Sequence, residues 1–311
     1  MKTASLVFLF YLTTYSATNV NAQTKWILVD SAFGALPKDF HVYKTTDTID
    51  GKPNIAYYAI APLKNRRLQF TTDTSLGRRL TPASFFEKNN KALLVVNGTF
   101  FSFETNQNLN IVIKNKKIVS YNVRRVRQKT DTSKFENQNI VRGGIGISKN
   151  RNADIAWIVA DSTSNYVRAW QSAFTNGNDT ANNAVGSKKW KMQTAIAGGP
   201  VLVQNNTLSI SNEQERMFAG KAILDKHPRT VIGYTSDNKL IVMVIQGRTP
   251  GIAEGATLTQ SAKLMVDLGC VEALNLDGGG SSCMLINGKQ TITPSDKGFQ
   301  RPVPAVFLVK Y

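Results

Sequence analysis

The amino-acid sequence predicts an α+β fold with mixed, largely antiparallel sheets, a few helices and one βαβ crossover near the C-terminus. Short runs of β-branched and aromatic residues recur between clusters of Gly, Pro, Asn and Asp, which is typical of many short strands. Helix start signals occur at Thr81 and Thr257, and no repeat at a fixed period indicates a solenoid. Hydrophobic residues make up 42% of the chain and charged residues 19%, as in globular proteins.

The first 22 residues predict a secretory signal peptide. Lys2 supplies the positive start, residues 6–12 form a short apolar run, and Ala22 ends a small-residue cleavage site before Gln23. The apolar run is too short to span a bilayer, so we expect a secreted or periplasmic protein with no integral membrane association. We assign residues 23–53 to an N-terminal strand and extension and residues 54–311 to the main domain. The oligomeric state is not readable.

The formal net charge of +17 indicates an anionic partner. The basic residues are dispersed, and no zinc-finger, RNP or basic-zipper pattern is present, so nucleic-acid binding is not predicted. Cys270 and Cys283 are the only cysteines. A disulfide between them and two buried thiols are equally compatible with the sequence. Two Cys and two His at these spacings do not make a zinc site.

Turn residues separate short strands from one helix over the first two thirds of the chain. Thr81 is a predicted N-cap with Pro82 at the first helical position, so a short helix should run to about Asn89. Residues 175–187 are rich in Asn and Gly and predict a surface loop. The predicted strands cover residues 26–29, 54–60, 68–72, 92–96, 110–113, 117–121, 144–148, 153–160, 193–197 and 201–204.

From residue 229 onward, the order of elements predicts which side chains meet. Strands at 230–235 and 240–246 flank turn residues and should form an antiparallel hairpin. The start of the first strand then lies beside the end of the second. We therefore expect His227, Arg229 and Arg248 to share one edge of the sheet.

A predicted crossover helix brings a carboxylate to the same edge. Thr257 and Gln260 form a capping box, and Gly269 ends the helix before a strand at 271–276. Two strands joined by a crossover helix most often pair in parallel, with both carboxyl ends on one edge. Asp277 should then lie next to Arg248.

The stretch Asn275-Leu276-Asp277-Gly278-Gly279-Gly280-Ser281-Ser282 indicates a ligand site. Each of three consecutive glycines costs about 0.5–1 kcal/mol of backbone entropy relative to alanine in a regular element, so bare backbone must be needed there. A turn whose N–H groups approach an anionic, oxygen-rich ligand fits this composition. A tight hairpin whose glycines only adopt positive φ is the simpler alternative.

In this order, the motifs resemble those of the phosphodiester glycosidase family. They are Asn97-Gly98-Thr99-Phe100-Phe101, Gly198-Gly199-Pro200, His227-Pro228-Arg229, Gly247-Arg248, Leu268-Gly269, Asn275 to Ser282, and Pro294-Ser295-Asp296 with Arg301. The resemblance covers roughly residues 54–311 and implies hydrolysis of a sugar 1-phosphodiester to a sugar and a phosphomonoester. Two positions depart from the family pattern. Gln246 stands where an Asp is common, and Thr99 where a second Gly is.

For this reaction the departing phosphate is a weak base, so the usual pair of carboxylates need not be complete. Asp277 is the expected nucleophile or the base for water, and His227 donates to the leaving oxygen or only binds it. Glu254 is a candidate second carboxylate, or else a solvated loop residue. Arg229 and Arg248 should bind the phosphate. The further residues expected to bind substrate are Asn97, Asn275, Gly198, Gly199, Gly278, Gly279, Gly280, Ser281, Ser282 and Arg301.

This scheme requires no cofactor. A divalent metal held by Asp277, Asn275 and Asn97 is conceivable but not predicted. Two rival functions stay open. A non-catalytic binder of anionic or phosphorylated cell-surface glycan would use the same pocket, and Gln246 favours it. An esterase with Ser281 or Ser282 as nucleophile lacks a convincing base and the Gly-x-Ser-x-Gly elbow.

Overall fold

The structure of the protein is a computed structural model. It describes residues 23–123, 125–127, 134–137, 140–160, 165–173, 186–219 and 224–311. The predicted signal peptide and most of the predicted loop at 175–187 lie outside these ranges. The described strands form one sheet of eight, one of seven, one of five and one of two strands.

The eight-stranded sheet carries the edge at which the predicted site residues meet. Its central strands read as nearly continuous apolar runs because both of their faces are buried. In spatial order the strands are β1 (Ile27–Leu28), β2 (His41–Thr45), β3 (Ala56–Pro62), β18 (Lys239–Ile245), β17 (Arg229–Thr235), β19 (Cys270–Asn275), β15 (Val201–Gln204) and β16 (Thr207–Leu208).

The other sheets supply the rest of the framework. The seven-stranded sheet runs β13 (Lys188–Trp190), β12 (Val167–Trp170), β11 (Ala153–Val159), β10 (Arg142–Ile147), β14 (Thr194–Ala197), β6 (Val112–Lys114) and β7 (Lys117–Ser120). The five-stranded sheet runs β21 (Lys289–Gln290), β20 (Met284–Ile286), β5 (Leu94–Asn97), β22 (Ala305–Lys310) and β4 (Gln69–Thr74). A separate pair joins β8 (Arg125–Arg127) to β9 (Phe135–Asn137).

Two helices begin where the sequence predicts them. In α1 (Pro82–Lys88), the Thr81 side chain accepts a hydrogen bond from the Ser84 N–H, and in α3 (Leu258–Asp267) both halves of the predicted capping box are present. A third, short helix, α2 (Asn212–Glu215), was not predicted, and its N-cap residue Ser211 makes no side-chain capping hydrogen bond. Within the described ranges, 3-10 turns cover Asp30–Phe33 and Gly279–Ser281.

Two apolar cores cover the eight-stranded sheet on both faces. One core joins the three large sheets, with Trp157, Leu274 and Phe307 as one member from each. The other lies between this sheet and α3, where Met265 packs with Val231. Each fully buried large apolar side chain contributes about 1.5–3 kcal/mol. The sheet that carries the site edge is therefore held rigidly from both sides.

The predicted βαβ unit differs from the observed connection. The strands joined by α3, β18 and β19, do not pair with each other, because β17 lies between them and pairs with both. All the strand pairs in these sheets are antiparallel, so the expectation of mixed sheets is wrong for the described strands. Both neighbours are antiparallel to β17 and hence run in the same direction. Their carboxyl ends reach the same edge by this different route.

Cys270 and Cys283 are both buried and free. Of the two alternatives left open by the sequence, the structure shows the buried thiols. Burial raises the pKa of each thiol to about 12, which makes both unreactive at neutral pH.

Candidate active site

Three strand termini place the predicted residues together. Arg229 at the start of β17 pairs with Ile245 at the end of β18, and Val231 pairs with Asn275 at the end of β19. The residues that flank these termini therefore crowd one edge of the sheet. They surround a cavity of about 210 Å³ that is lined by Phe100, Phe218, His227, Arg229, Arg248, Asn275, Asp277, Gly278 and Gly279.

Asp277 is the carboxylate of this cavity. Its N–H donates to the Gly98 carbonyl oxygen at 2.9 Å, which fixes the start of the glycine turn. Burial raises the pKa of the Asp277 carboxyl to about 7, against the opposing effects of the Ser281 hydroxyl, the positive charge of Arg301 and the Gly278 N–H. The carboxyl group therefore exchanges a proton near neutral pH, as a general base must.

His227 is neutral at neutral pH and its tautomer is set by an arginine. Arg248 Nη2 lies 3.4 Å from His227 Nδ1. Because a guanidinium only donates, Nδ1 is the acceptor and the proton of the neutral ring is on Nε2. Burial and then the positive charges of Arg229 and Arg248 lower the pKa of His227. The ring thus offers one N–H donor.

Arg229 is a buried cation with 3% of its surface exposed. Its Nε donates to the Ala256 carbonyl oxygen at 2.8 Å and its Nη2 to the Asp225 carbonyl oxygen at 3.1 Å. Burial and the neighbouring charge of Arg248 lower the pKa of Arg229 to about 10, which still leaves it protonated. Both hydrogen-bond partners are neutral carbonyls, and the negative charge of Asp225 only partly offsets burial and Arg248, so a positive charge remains available to an anion in the cavity.

Each of the three glycines lies against a different neighbour. A Cβ on Gly278 would lie 2.9 Å from the Pro228 carbonyl oxygen, one on Gly279 would lie 3.0 Å from Arg248 Nη2, and one on Gly280 would overlap the Arg301 guanidinium. Gly279 also has a φ of +60°, which other residues rarely adopt. Bare backbone is therefore needed to let two arginines close on the turn.

The turn presents fewer free N–H groups than the sequence analysis expected. The Gly279 N–H donates to the Pro228 carbonyl oxygen at 2.9 Å, and the Ser281 and Ser282 N–H groups donate to carbonyl oxygens within the turn at 3.2 Å each. These groups are already paired inside the protein. The positive charge at this site comes from the arginines, and the glycines act mainly by admitting them.

Asn275 has a hydrogen-bond acceptor without a partner. Its Nδ2 donates to the carbonyl oxygens of Gly199 and Leu276, both at 2.9 Å. Its Oδ1 is buried and has no partner among the described residues. A buried unpaired acceptor costs about 1–3 kcal/mol, and Asn275 lines the cavity. A donor on the ligand would satisfy it.

Gly198 and Gly199 hold Asn275 and lie outside the cavity lining. The Gly199 N–H donates to the Asn275 carbonyl oxygen at 2.8 Å. A Cβ on Gly198 would lie 2.6 Å from that same oxygen. These glycines are therefore positioning residues, not direct ligands of the cavity.

Asn97 is also a positioning residue in the structure. It is fully buried, its Nδ2 donates to the Asp277 carbonyl oxygen at 2.5 Å, and its Oδ1 accepts from Thr230 and from the Cys283 N–H. All of these contacts are internal. The expected contact of Asn97 with sugar hydroxyls therefore does not fit its place beneath the Asp277 turn.

Four further predicted residues lie outside the cavity lining. Ser281 and Ser282 are buried, so neither is placed as an exposed esterase nucleophile. Glu254 lies 3.9 Å from Lys226 and adds no second carboxylate to the lining. Arg301 pairs with Asp296 at 2.9 Å behind Gly280, from where its charge acts on Asp277.

The two departures from the family pattern are also buried outside the cavity. The Gln246 side chain accepts a hydrogen bond from the Thr293 N–H at 2.9 Å. Thr99 is 1% exposed and donates to Asn108. Gln246 thus ties two loops together, and its position removes the observation that favoured a non-catalytic binder.

Phe218 is a cavity residue that sequence reasoning missed. Its ring meets that of Phe100 edge-on, with centroids 5.9 Å apart. The Asn212 side chain pairs with both the N–H and the carbonyl oxygen of Phe218, at 3.0 and 2.9 Å. The two rings give the cavity one apolar wall, suited to the C–H face of a sugar.

Within the described ranges, no group of three or more His, Cys, Asp or Glu residues is arranged to hold a metal ion. None of the helices found there is long and apolar enough to cross a bilayer.

Comparisons with known proteins identify a family for this chain. A family model for phosphodiester glycosidases matches residues 90–310. A prophage-derived uncharacterised protein of Bacillus subtilis, YomE, is 37% identical over 86 residues, which is 28% of this chain and 13% of that protein. The human N-acetylglucosamine-1-phosphodiester alpha-N-acetylglucosaminidase is 35% identical over 102 residues, 32% of this chain and 19% of the enzyme. The aligned segments thus span less than a fifth of these relatives.

Solved structures share the fold at lower identity. The zebrafish N-acetylglucosamine-1-phosphodiester alpha-N-acetylglucosaminidase catalytic domain superposes with a TM-score of 0.58 at 21% identity, over 88% of this chain and 82% of that one. A hypothetical protein from Synechocystis superposes with a TM-score of 0.59 at 16% identity, over 89% and 64% of the two chains. Because the family model spans most of the sequence, the chain belongs to the phosphodiester glycosidase family.

Proposed function

We propose that the protein hydrolyses a sugar 1-phosphodiester, releasing the sugar and a phosphomonoester. The observation that carries the proposal is the pairing of a carboxyl group of pKa about 7 with two arginines in one cavity. Family membership and the names of the relatives support the same reaction class.

Arg229 and Arg248 are assigned to the phosphodiester. One guanidinium is buried and held by two carbonyl oxygens, and the other is exposed and stacked on the bare backbone of Gly279. As the bond to the sugar breaks, negative charge grows on the bridging phosphate oxygen. Preorganised cations near that oxygen stabilise the transition state more than the ground state.

Asp277 is assigned as the base that activates water. The carboxylate takes a proton from water, the water oxygen attacks the anomeric carbon, and the bond to the phosphate oxygen breaks with its electron pair. A pKa near the working pH suits a base. No second carboxylate lines the cavity among the described residues, so we propose inversion at the anomeric carbon.

His227 and Asn275 are assigned to substrate orientation. The neutral imidazole presents its Nε2–H and can donate to a phosphate oxygen. The free Asn275 Oδ1 can accept from a sugar hydroxyl or from an acetamido N–H. An N-acetylglucosamine-type substrate would satisfy it, and this is the sugar named for the mammalian relatives.

The test is hydrolysis of the methyl phosphodiester of N-acetyl-α-D-glucosamine, with the glucose compound alongside, followed by proton NMR. We expect methyl phosphate and the β-anomer of the free sugar as first products. First formation of the α-anomer would instead make Asp277 a nucleophile. A folded protein that cleaves none of a panel of sugar 1-phosphodiesters would refute the function.

We further propose that the protein acts outside the cytoplasm, after removal of residues 1–22. The charge, apolar run and small-residue cleavage site of that segment support export. Mass spectrometry of the exported protein should give an N-terminus at Gln23. An N-terminus at Met1 in that fraction would contradict cleavage.

A further inference from the structure

A second cavity, on the seven-stranded sheet, is larger than the candidate active site and shares no residue with it. It encloses about 360 Å³, within the range of about 300–1,000 Å³ that is usual for small-molecule sites. Its lining includes Lys116, Lys149, Tyr166, Lys189, Trp190 and Lys191. We call it the lysine cleft.

The lysine cleft forms because the two ends of the seven-stranded sheet approach each other. Its lining comes from β12 and β13 at one end of the strand order and from β6 and β7 at the other. Trp190 and Met192 form part of the floor. Gly146 in β10 makes room for them, since a Cβ there would lie 2.7 Å from the Trp190 ring and would overlap Met192.

The charge of the lysine cleft has one sign. Lys116, Lys149, Lys189 and Lys191 are all exposed, and no Asp or Glu is among the lining residues. The described residues hold no carboxylate that forms an ion pair with these lysines. Within the described ranges, these charges are therefore not cancelled by ion pairs.

One of the lysines is positioned by an aromatic ring. Lys189 Nζ lies 4.5 Å from the centroid of the Tyr166 ring, close enough for a cation–π interaction. Arg168 donates to the Tyr166 hydroxyl at 2.9 Å and so holds that ring in place. The ammonium group is thus oriented before any ligand arrives.

We propose that the lysine cleft is a second carbohydrate site, which binds a phosphorylated saccharide without hydrolysing it. Ammonium groups bind phosphate as point charges, while an apolar and aromatic floor suits the C–H face of a sugar ring. Two side-chain amides, of Asn165 and Gln193, can pair with hydroxyls. No carboxyl group that could act as a base is among the described lining residues, so we expect the ligand to be bound and not hydrolysed.

The test is calorimetric titration of the full chain with glucose 1-phosphate, in an Arg248→Ala background that weakens the first site. We expect binding to persist in this background, and a Lys189→Gln, Lys191→Gln double variant to weaken it by about ten-fold or more. The matched control, a Lys38→Gln, Lys263→Gln double variant in the same background, removes two exposed lysines outside the cleft. It should bind glucose 1-phosphate as tightly as the background protein does.

Four further measurements sharpen the result. Glucose should bind much more weakly than glucose 1-phosphate, and so should inorganic phosphate. Raising NaCl from about 50 to about 300 mM should weaken the binding of glucose 1-phosphate. Equal loss in the cleft variant and the control would overturn the proposal, as would no binding in the Arg248→Ala background. A single-stranded oligonucleotide that outcompetes glucose 1-phosphate would make it a nucleic-acid site. Because hydrolysis is not measured, these outcomes are independent of the proposed function.

Discussion

Two largely buried carboxylates, Asp277 on the edge of the eight-stranded sheet and Asp73 in the five-stranded sheet, have opposite surroundings. Asp73 is 4% exposed and accepts hydrogen bonds from Lys114 at 2.6 Å, Lys88 at 2.8 Å and Asn89 at 2.9 Å. Burial disfavours its charge, but these donors outweigh burial and lower the pKa of Asp73 to about 2. The pKa of Asp277 is raised to about 7 because its favourable neighbours do not offset burial.

The comparison shows that burial by itself does not mark a functional carboxylate. What differs is how completely the surroundings compensate the charge. Asp73 is compensated by two lysines and an amide, so it links β4 to β6 and α1 as a permanently charged group. Asp277 lies beside a cavity and keeps a proton that can be exchanged, so it is suited to chemistry at a cost in stability.

The largest expected effect is a loss of activity, which distinguishes Asp277 from Asp73. Asp277→Asn should lower kcat/KM for the sugar 1-phosphodiester by about 10²–10⁴, the usual contribution of a general base. Stability should stay equal or rise, because the amide removes a buried, incompletely compensated charge. Initial rates and a urea unfolding curve measure both.

The matched control is Asp39→Asn, which removes an exposed carboxylate. It should leave kcat/KM unchanged. Full activity in Asp277→Asn would show that Asp277 takes no part in the chemistry. Asp277 and Asp73 would then not differ in function.

A smaller loss of activity is expected from Arg248→Ala. Arg248 is exposed, so its removal should not unfold the protein. One charge-assisted contact to phosphate, worth about 1.5–3 kcal/mol, corresponds to a loss of kcat/KM of about 10–100-fold. The variant also frees His227 Nδ1 from its arginine neighbour, so the pKa of His227 should rise, which NMR titration of the ring measures. An unchanged kcat/KM would remove Arg248 from phosphate binding.

The sequence was sufficient to predict which charged residues meet at one edge of the eight-stranded sheet. It was insufficient to predict the aromatic residues that line the cavity there. The hairpin of β17 and β18 and the capping box of α3 are local signals, and they brought Arg229, Arg248 and Asp277 together. They did so even though the predicted parallel pairing was wrong, because an intervening antiparallel strand preserves strand direction. Phe218 could not be found in this way, since its position depends on the side chain of Asn212 in an unpredicted helix.

The roles of the small residues were predicted only in part. The need for bare backbone at three consecutive glycines was readable from their cost. The reason was not, because Pro228, Arg248 and Arg301 approach from separate parts of the chain. Similarly, Asn97 was identified from a motif, but its internal contacts with Thr230 and Cys283 depend on packing between two sheets.

A stability effect without loss of activity is expected from Asp73→Asn. The substitution leaves Lys88 and Lys114 without their carboxylate, but both lysines are over a third exposed, so solvent screens part of the loss. We expect the free energy of unfolding to fall by about 1–2 kcal/mol, measured by urea denaturation. Hydrolysis should remain normal. A large drop in kcat/KM with a folded protein would show that the two carboxylates are coupled.

The last expected effect is on the pH dependence of stability, to which the two carboxylates contribute with opposite sign. The pKa of Asp73 is lower in the folded than in the unfolded chain, so its contribution is present above about pH 4 and is lost as pH falls towards 2. The pKa of Asp277 is higher in the folded chain, so the folded state keeps a proton that the unfolded state loses. Its contribution therefore falls as pH rises from about 4 to about 7 and is constant above that.

Unfolding free energies measured between pH 4 and 8 should decline less steeply in Asp277→Asn than in wild type, whereas Asp73→Asn should keep the wild-type slope over that range. Identical slopes in all three proteins would mean that the Asp277 carboxyl is solvated, and the contrast between the two regions would then rest on Asp73 alone.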